Sequence, residues 1–219
     1  VCLARAREKG MEAFVTYRMN DLHFSDSNDP GAFMTPAFWK KHPRYKMNGV
    51  TYAWHSQGAY DFKYPEIRRR KLEMISEQLE MFEDMDGFEM DFCRFAIYFR
   101  PEESIDKADL VTVLIRDVRA KVDSISEVRG HKVMLVARVP CTVETCMQKG
   151  LDVRTWVKEG LVDFLPLGVH WSGDPAIDAD AFRADLGEGV PRIPIYATIY
   201  IIYNAINKKI QRNSVNGSY

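Results

Sequence analysis

The sequence predicts an α/β fold built on a parallel sheet, and three observations carry that expectation. A helix-like stretch, a glycine near its end and a β-rich run recur five times along the chain. The helical stretches set apolar residues on one stripe at the helical period, with Arg and Glu on the other faces. The β-rich runs, such as Val133-Met-Leu-Val-Ala137 and the run from Ile193 to Tyr200, are apolar on both faces, as strands are when a parallel sheet is covered by helices.

The repeats follow in order. Ala4 to Gly10 leads into Met11 to Tyr17, and Glu66 to Phe82 into Gly87 to Phe92. Leu110 to Val128, closed by Gly130, leads into Lys132 to Val139. Val153 to Gly160 precedes Leu161 to Leu167, and Ala179 to Leu186, with Gly187 and Gly189, precedes Ile193 to Tyr200. In the second helix Leu72, Ile75, Leu79 and Phe82 share a stripe; in the third, Leu110, Val113, Leu114, Val118 and Val122 do. The basic run Arg68-Arg-Arg-Lys71 reads as a solvated face of the second helix. A glycine after a helix suits the left-handed position that ends it.

A doubly wound sheet and a (β/α) barrel both satisfy this pattern. No G-x-G-x-x-G loop follows a strand, which removes the usual mark of a nucleotide-binding open sheet and favours the barrel. A full barrel has eight strands in about 250 residues. The expected organisation is therefore a partial (β/α)8 TIM barrel over 1–203 and a polar tail over 204–219.

Composition bounds the function. Of 219 residues, 46% are hydrophobic and 12% aromatic, enough for a real core. Thirty basic against thirty-one acidic residues leave a formal charge of -1, so no net field attracts nucleic acid or an anionic membrane. No apolar run approaches the ~18 residues of a membrane span. The start, Val1 to Gly10, reads as part of a basic helix without the apolar stretch of a signal peptide. Localisation is open, a secreted or periplasmic full-length protein being one expectation. Cys141 and Cys146 are the one close pair among four cysteines, and C-x4-C alone is a weak zinc or disulfide signal against free thiols.

One connection is exceptional. Asp21 to Tyr64 is far longer than an ordinary loop and holds Phe24, Phe33, Phe38, Trp39, Tyr45, Tyr52, Trp54, Tyr60 and Phe62 with His23, His42 and His55. In a barrel it would lie over the carboxyl end of the strands, where active sites form. Its rings would either stack on sugar faces or form an aromatic mini-core that holds the loop shut.

The strongest chemical signal is Met85-Asp-Gly-Phe-Glu-Met-Asp-Phe-Cys-Arg94. Glu89 and Asp91 share one face of a strand, with Cα atoms roughly 6.5 Å apart. Two neighbouring carboxyls push one pKa up and leave the other ionised, the arrangement for an acid beside a base or nucleophile; the alternative is a carboxylate–arginine network that fixes the fold. Tyr17-Arg-Met-Asn-Asp-Leu-His23 places Arg18, Asn20, Asp21 and His23 where the first strand ends. Arg138, before Pro140, and His170-Trp171, after Leu167-Gly168, add groups at two further strand ends. No H-E-x-x-H, G-x-S-x-G or Walker sequence is present. A metal site would have to assemble in space from Asp21, His23, Glu89 and Asp91; no metal or cofactor is expected in the leading reading.

Asp86-Gly-Phe-Glu-Met-Asp-Phe, preceded by Tyr64-Pro-Glu-Ile-Arg, together with Tyr17-Arg-Met-Asn-Asp-Leu-His and Phe38-Trp-Lys-Lys-His-Pro-Arg-Tyr, resembles bacterial glycosyl-hydrolase-like (β/α)8 barrels of the largely uncharacterised family-10-like group. The resemblance runs from about Leu3 to Tyr200 and includes Arg138-Val-Pro and Gly160-Leu-Val-Asp163. It implies that the chain carries about strands three to seven. A more distant similarity is to chitinase-type barrels, whose fourth strand reads D-x-x-D-x-D-x-E. Asp86, Glu89 and Asp91 fall in comparable places, but Cys93 stands where the acidic Glu would be.

The resemblance and the residues together lead to an expected carbohydrate-active enzyme hydrolysing O-glycosidic bonds of an oligo- or polysaccharide. Asp91 would act as nucleophile or base and Glu89 as acid or electrostatic partner, with Asp21 as a further carboxyl. Arg18, Asn20, Arg94 and Arg138 would position hydroxyls or fix the carboxylates, and His23, His170 and Trp171 would line the sugar site. The alternatives are a non-catalytic carbohydrate-binding barrel and a metal-dependent hydrolase.

Overall fold

The computed structural model describes residues 2–22, 35–47, 58–168 and 177–198. All five expected helix–strand repeats are present: α1 (Cys2–Glu8) and β1 (Phe14–Arg18), α3 (Pro65–Met81) and β2 (Gly87–Asp91), α4 (Ala108–Arg129) and β3 (Met134–Arg138), α6 (Val153–Lys158) and β4 (Leu165–Leu167), α7 (Ala179–Leu186) and β5 (Ile195–Ala197). Two short helices add to them, α2 (Ala37–Lys41) in the long connection and α5 (Val143–Gln148) after β3. The later helices begin on polar caps: side chains of Thr142, Asp152 and Asp178 accept hydrogen bonds from backbone N–H groups of α5, α6 and α7. Helix α4 ends at Gly130, whose φ of 67° is the left-handed cap that glycine adopts without strain.

Among the described residues the named strands all pair in parallel. β1 pairs with β2, β2 with β3, and β4 with β5. Parallel bridges Val136–Phe164 and Val139–Leu167 join β3 to β4. The strands therefore neighbour one another in chain order, with none of the reversal by which a doubly wound sheet makes its switch point.

Alternation divides each strand between two faces. Val15 and Tyr17, then Phe88 and Met90, Leu135 and Ala137, and Leu165 and Leu167 pack on the helices, in one core with Ile75 and Leu79 of α3 and Val111, Ile115, Val118 and Val122 of α4. Trp156 of α6 is wholly buried there, its Nε1 donating to Thr112 Oγ1 at 2.9 Å. The opposite face carries Phe14, Thr16 and Arg18, then Gly87, Glu89 and Asp91, then Val136 and Arg138. Strand β2 is thus apolar on its helix side only.

On this second face a Cβ at Gly87 would lie 2.0 Å from the Phe14 ring, so only glycine lets that ring cross β2. Phe14 meets Phe164, before β4, edge-on at 5.7 Å between ring centres, and Phe164 meets Tyr196 of β5 at 5.5 Å. A line of rings thus spans the strands from first to fifth.

Two helices depart from the expected stripes. Val113 is 45% exposed, because it lies about 200° round the helix from Val111, which is buried instead. In α3 the fully inward positions are Ile67, Lys71, Ile75 and Leu79, four residues apart. Lys71 therefore belongs to the core stripe, a correction to the solvated basic face; Leu72 and Phe82 are partly buried beside it.

In the long connection, the described part is an aromatic mini-core. Phe38 stacks on Tyr45 at 5.9 Å, Tyr45 meets Tyr64 at 5.2 Å, and Phe62 meets Tyr98 at 5.1 Å. Trp39 Nε1 donates to the Gly58 carbonyl at 2.9 Å.

Candidate active site

The three-stranded ladder ends on one row of charged residues. Register sets Arg18 of β1 beside Asp91 of β2, and Asp91 beside Arg138 of β3. This is the carboxyl end of parallel strands, where the chain leaves the sheet and side chains are free of regular packing. One layer below lie Thr16, Glu89 and Val136.

Asp91 is 5% exposed, yet well provided with donors. Its Oδ1 accepts the backbone N–H groups of Cys93 at 2.8 Å and Arg94 at 3.1 Å, which turns the chain sharply after β2. Its Oδ2 faces Arg138 Nη1 at 3.4 Å. Arg138 in turn directs Nε toward Thr198 Oγ1 at 3.3 Å, and the Thr198 hydroxyl donates to the Leu167 carbonyl at 2.6 Å. Gly168 closes this layer: a Cβ there would stand 2.3 Å from Thr198 Oγ1 and 3.0 Å from the Arg138 guanidinium. The guanidinium is thus clamped between β2, β4 and β5.

Glu89 is half-buried and accepts a 3.3 Å hydrogen bond from Thr16 Oγ1. Burial, and then the Asp91 charge, push its carboxyl above the usual range, against the opposing pull of Arg138 and Thr16. The two carboxyls of the strand are therefore unlike: one fixed by backbone and arginine, the other biased toward keeping its proton.

Cys93 is poorly suited to act as an acid. Its thiol is buried, donates to the Gly168 carbonyl at 3.0 Å, and is pushed up by burial. All four cysteines are free thiols, Cys141 and Cys146 included.

The other expected site residues divide. Arg18 pairs at 3.0 Å with Asp21 at the exposed exit of β1. Asn20 is 2% exposed and spends its amide on backbone: Nδ2 donates to the carbonyls of Tyr60 and Ile97, and Oδ1 accepts from the Tyr60 N–H. It pins the aromatic connection to the end of β1. Arg94 contributes its backbone N–H to Asp91, and its guanidinium lies 5.7 Å from the centre of the Phe95 ring. His23, His170 and Trp171 lie outside the described residues. Among the described residues no group of three or more His, Cys, Asp or Glu side chains is placed to hold a metal ion.

Sequence reasoning missed Thr16, Thr198 and Lys71. Thr16 was legible as the same-face neighbour of Arg18 on an alternating strand, and Lys71 as the residue midway between Ile67 and Ile75. Thr198 had no local signal, since only strand pairing brings it to Arg138.

No protein-family model and no curated protein matches the chain. Among solved structures, the chain is similar to the chitinase domain of the spore coat protein CotE from Clostridium difficile, at 13% identity and a TM-score of 0.47, over 91% of this chain and 52% of that one. It is similar to the glycoside hydrolase domain of PelA from Pseudomonas aeruginosa at 15% identity and a TM-score of 0.46, over 99% and 79%. A family 18 N-acetylglucosaminidase from Paenibacillus barengoltzii matches at 19% identity and a TM-score of 0.44, over 62% of this chain and 45% of that one. The chain thus spans about half the length of the chitinase domain and less than half that of the N-acetylglucosaminidase.

Proposed function

We propose that the chain is about strands three to seven of a (β/α)8 barrel that hydrolyses O-glycosidic bonds of an oligo- or polysaccharide. The supporting observation is the pair of unlike carboxyls on β2, Asp91 held by two backbone N–H groups and Arg138, and Glu89 pushed toward its protonated form. Glycoside hydrolysis needs both states at once: an acid to protonate the leaving oxygen and a carboxylate to attack carbon or activate water. In this reading Asp91 is nucleophile or base and Glu89 the acid or its electrostatic partner, with Asp21 a second source of a carboxyl at the mouth. Arg138 orients Asp91, Arg18 and Arg94 hold hydroxyls or carboxylates, and Asn20 acts by keeping the aromatic connection in place. His23, His170 and Trp171 are proposed to line the sugar site.

The test is release of reducing ends from a panel of plant, algal and bacterial polysaccharides by the whole barrel and its Asp91→Asn variant. The expected result is release by the parent and a loss of about a thousandfold or more in the variant, the scale on which removing a reacting group acts. Release that survives Asp91→Asn sinks the assignment.

One observation favours a second reading. Both oxygens of Asp91 already have partners in turn and arginine, as in a carboxylate that shapes a non-catalytic carbohydrate-binding barrel. That reading expects glycan binding without release, retained in Asp91→Asn and weakened in Trp171→Ala.

A further inference from the structure

Three of the four cysteines gather where β2 and β3 leave the sheet. Cys93 follows β2, and its thiol donates to the Gly168 carbonyl. The Gly168 N–H in turn donates to the carbonyl of Val139, the residue after β3, at 3.0 Å. Cys141 stands two residues further on, and Cys146 lies on α5. None of these thiols has a part in the proposed hydrolysis.

Local geometry brings Cys141 and Cys146 together. Thr142 is the N-cap of α5: its Oγ1 accepts the Thr145 N–H at 3.0 Å, and its carbonyl accepts the Cys146 N–H at 3.0 Å. Cys141 is therefore the residue before the cap and Cys146 the fourth of the helix, the two positions whose side chains meet across a helix start as a hydrophobic staple. The Cys146 thiol points the same way. It donates to the Pro140 carbonyl at 3.4 Å, and that carbonyl carbon is bonded to the Cys141 nitrogen.

The two environments differ. Cys146 is wholly buried, whereas Cys141 is partly exposed. Burial pushes the Cys146 thiol up, and a charge on the neighbouring Cys141 would push it further. A thiol of that kind does not start an exchange, but one held against an exposed partner finishes it.

We propose that Cys141 and Cys146 form a reversible disulfide, Cys141 being the thiol that a small disulfide such as oxidised glutathione reaches first and Cys146 the thiol that resolves the mixed product. In the first step the Cys141 thiolate attacks one sulfur of the oxidant; the oxidant's S–S bond breaks and one glutathione thiolate leaves. In the second the Cys146 sulfur attacks the Cys141 sulfur, and the second glutathione departs with the Cys146 proton. Two protein thiols are oxidised and one disulfide is reduced to two thiols, so no other co-reactant is needed. The bridge ties the start of α5 to the exit of β3, the strand that brings Arg138 to Asp91. Cys93 is 4% exposed and turned to Gly168, out of the oxidant's reach.

The experiment treats the folded chain with oxidised glutathione at about pH 8, where an exposed thiol is partly ionised, and reads the products by mass. Trypsin releases Val139 to Lys149, a peptide that holds Cys141 and Cys146 and no other cysteine. Cys141→Ser and Cys146→Ser run alongside, each checked for folding by circular dichroism. Cys2, exposed on α1, is the internal comparison and is expected to keep its glutathione. The wild-type peptide is expected to lose about 2 Da, the mass of two hydrogens, and to regain it with dithiothreitol. Cys146→Ser is expected to hold glutathione on Cys141, and Cys141→Ser to leave Cys146 unmodified. Glutathione retained on Cys141 of the wild type as on Cys2, a bridge that takes in Cys93 or joins two chains through Cys141, or no modification of Cys141 at all, overturns the proposal. So does modification of Cys146 that is as fast in Cys141→Ser as in the wild type.

Discussion

Asp91 and Lys71 are both more than nine-tenths buried, and they teach opposite lessons about buried charge. Asp91 ends a central strand, so the turn that follows points two N–H groups at it and the neighbouring strand brings an arginine. Lys71 sits on a helix packed against β1, where among the described residues its one hydrogen-bond partner is a neutral phenol and Asp21 acts on it through charge alone. Within the sheet the charge is answered by the strands beside it; on the helix Lys71 lines a cavity together with Asp21. The first is met by hydrogen bonds and an arginine, and the second is compensated in part by the Asp21 charge.

Replacing one partner of each charge tests that contrast most strongly at the mouth. Arg138→Met leaves Asp91 buried with its backbone donors alone and is expected to cost about 3 kcal/mol, since breaking a buried pair strands the remaining charge. Urea unfolding near neutral pH measures it; a change under about 0.5 kcal/mol would mean that the turn alone satisfies Asp91.

Lys71→Met should do the opposite and stabilise the fold at neutral pH, by about 2 kcal/mol, because it removes a charge whose desolvation outweighs the attraction of Asp21. The pH dependence has a definite sign. The folded-state pKa, about 8, lies below the ordinary 10.5, so the unfolded chain binds more protons between them and wild-type stability rises with pH across that window. The advantage of Lys71→Met is thus full below about pH 8 and fades toward pH 10.5. Unfolding of both proteins at pH 7 and pH 10 reads this difference, and a destabilised variant at pH 7 would show that the ammonium already has its partner.

Gly168→Ala probes the clamp on Arg138. The added methyl would lie 2.3 Å from Thr198 Oγ1, so the guanidinium or β5 must shift, at about 1–3 kcal/mol. Thermal unfolding would show it, and an unchanged midpoint would mean that Thr198 yields freely.

The smallest effect belongs to Glu89→Gln. Glu89 has a raised folded-state pKa, so it weakens the fold as pH climbs through and above the ordinary carboxylate range. The variant should be slightly more stable at pH 7 and no more stable near pH 3, by about 1 kcal/mol or less at most. Its activity matters more: loss of release together with this gain in stability would identify a group kept for chemistry at the expense of the fold.

Much of this was legible in the chain. The five repeats, the glycine that ends α4 and the carboxylate pair on β2 follow from local rules of period, turn and alternation. The errors are equally local. Val113 and Leu72 look right for a stripe, but a helix buries the arc its neighbours cover, and Val111 and Lys71 occupy that arc. The basic run hid Lys71, because one residue of a charged tetrad can face inward while Arg69 stays exposed and Arg68 and Arg70 are half-buried.

The sequence by itself determined the α/β class, the order of its elements and the placing of Glu89 and Asp91 on one strand face, since each depends on neighbours a few residues away. Only the tertiary structure decided that the described strands run in unbroken order, that Arg138 and Thr198 meet beside Asp91 from positions sixty residues apart, and that Lys71 is buried beside a cavity it shares with Asp21. Those facts depend on which segments pack together, and Coulomb energy and desolvation are set by neighbours in space rather than along the chain.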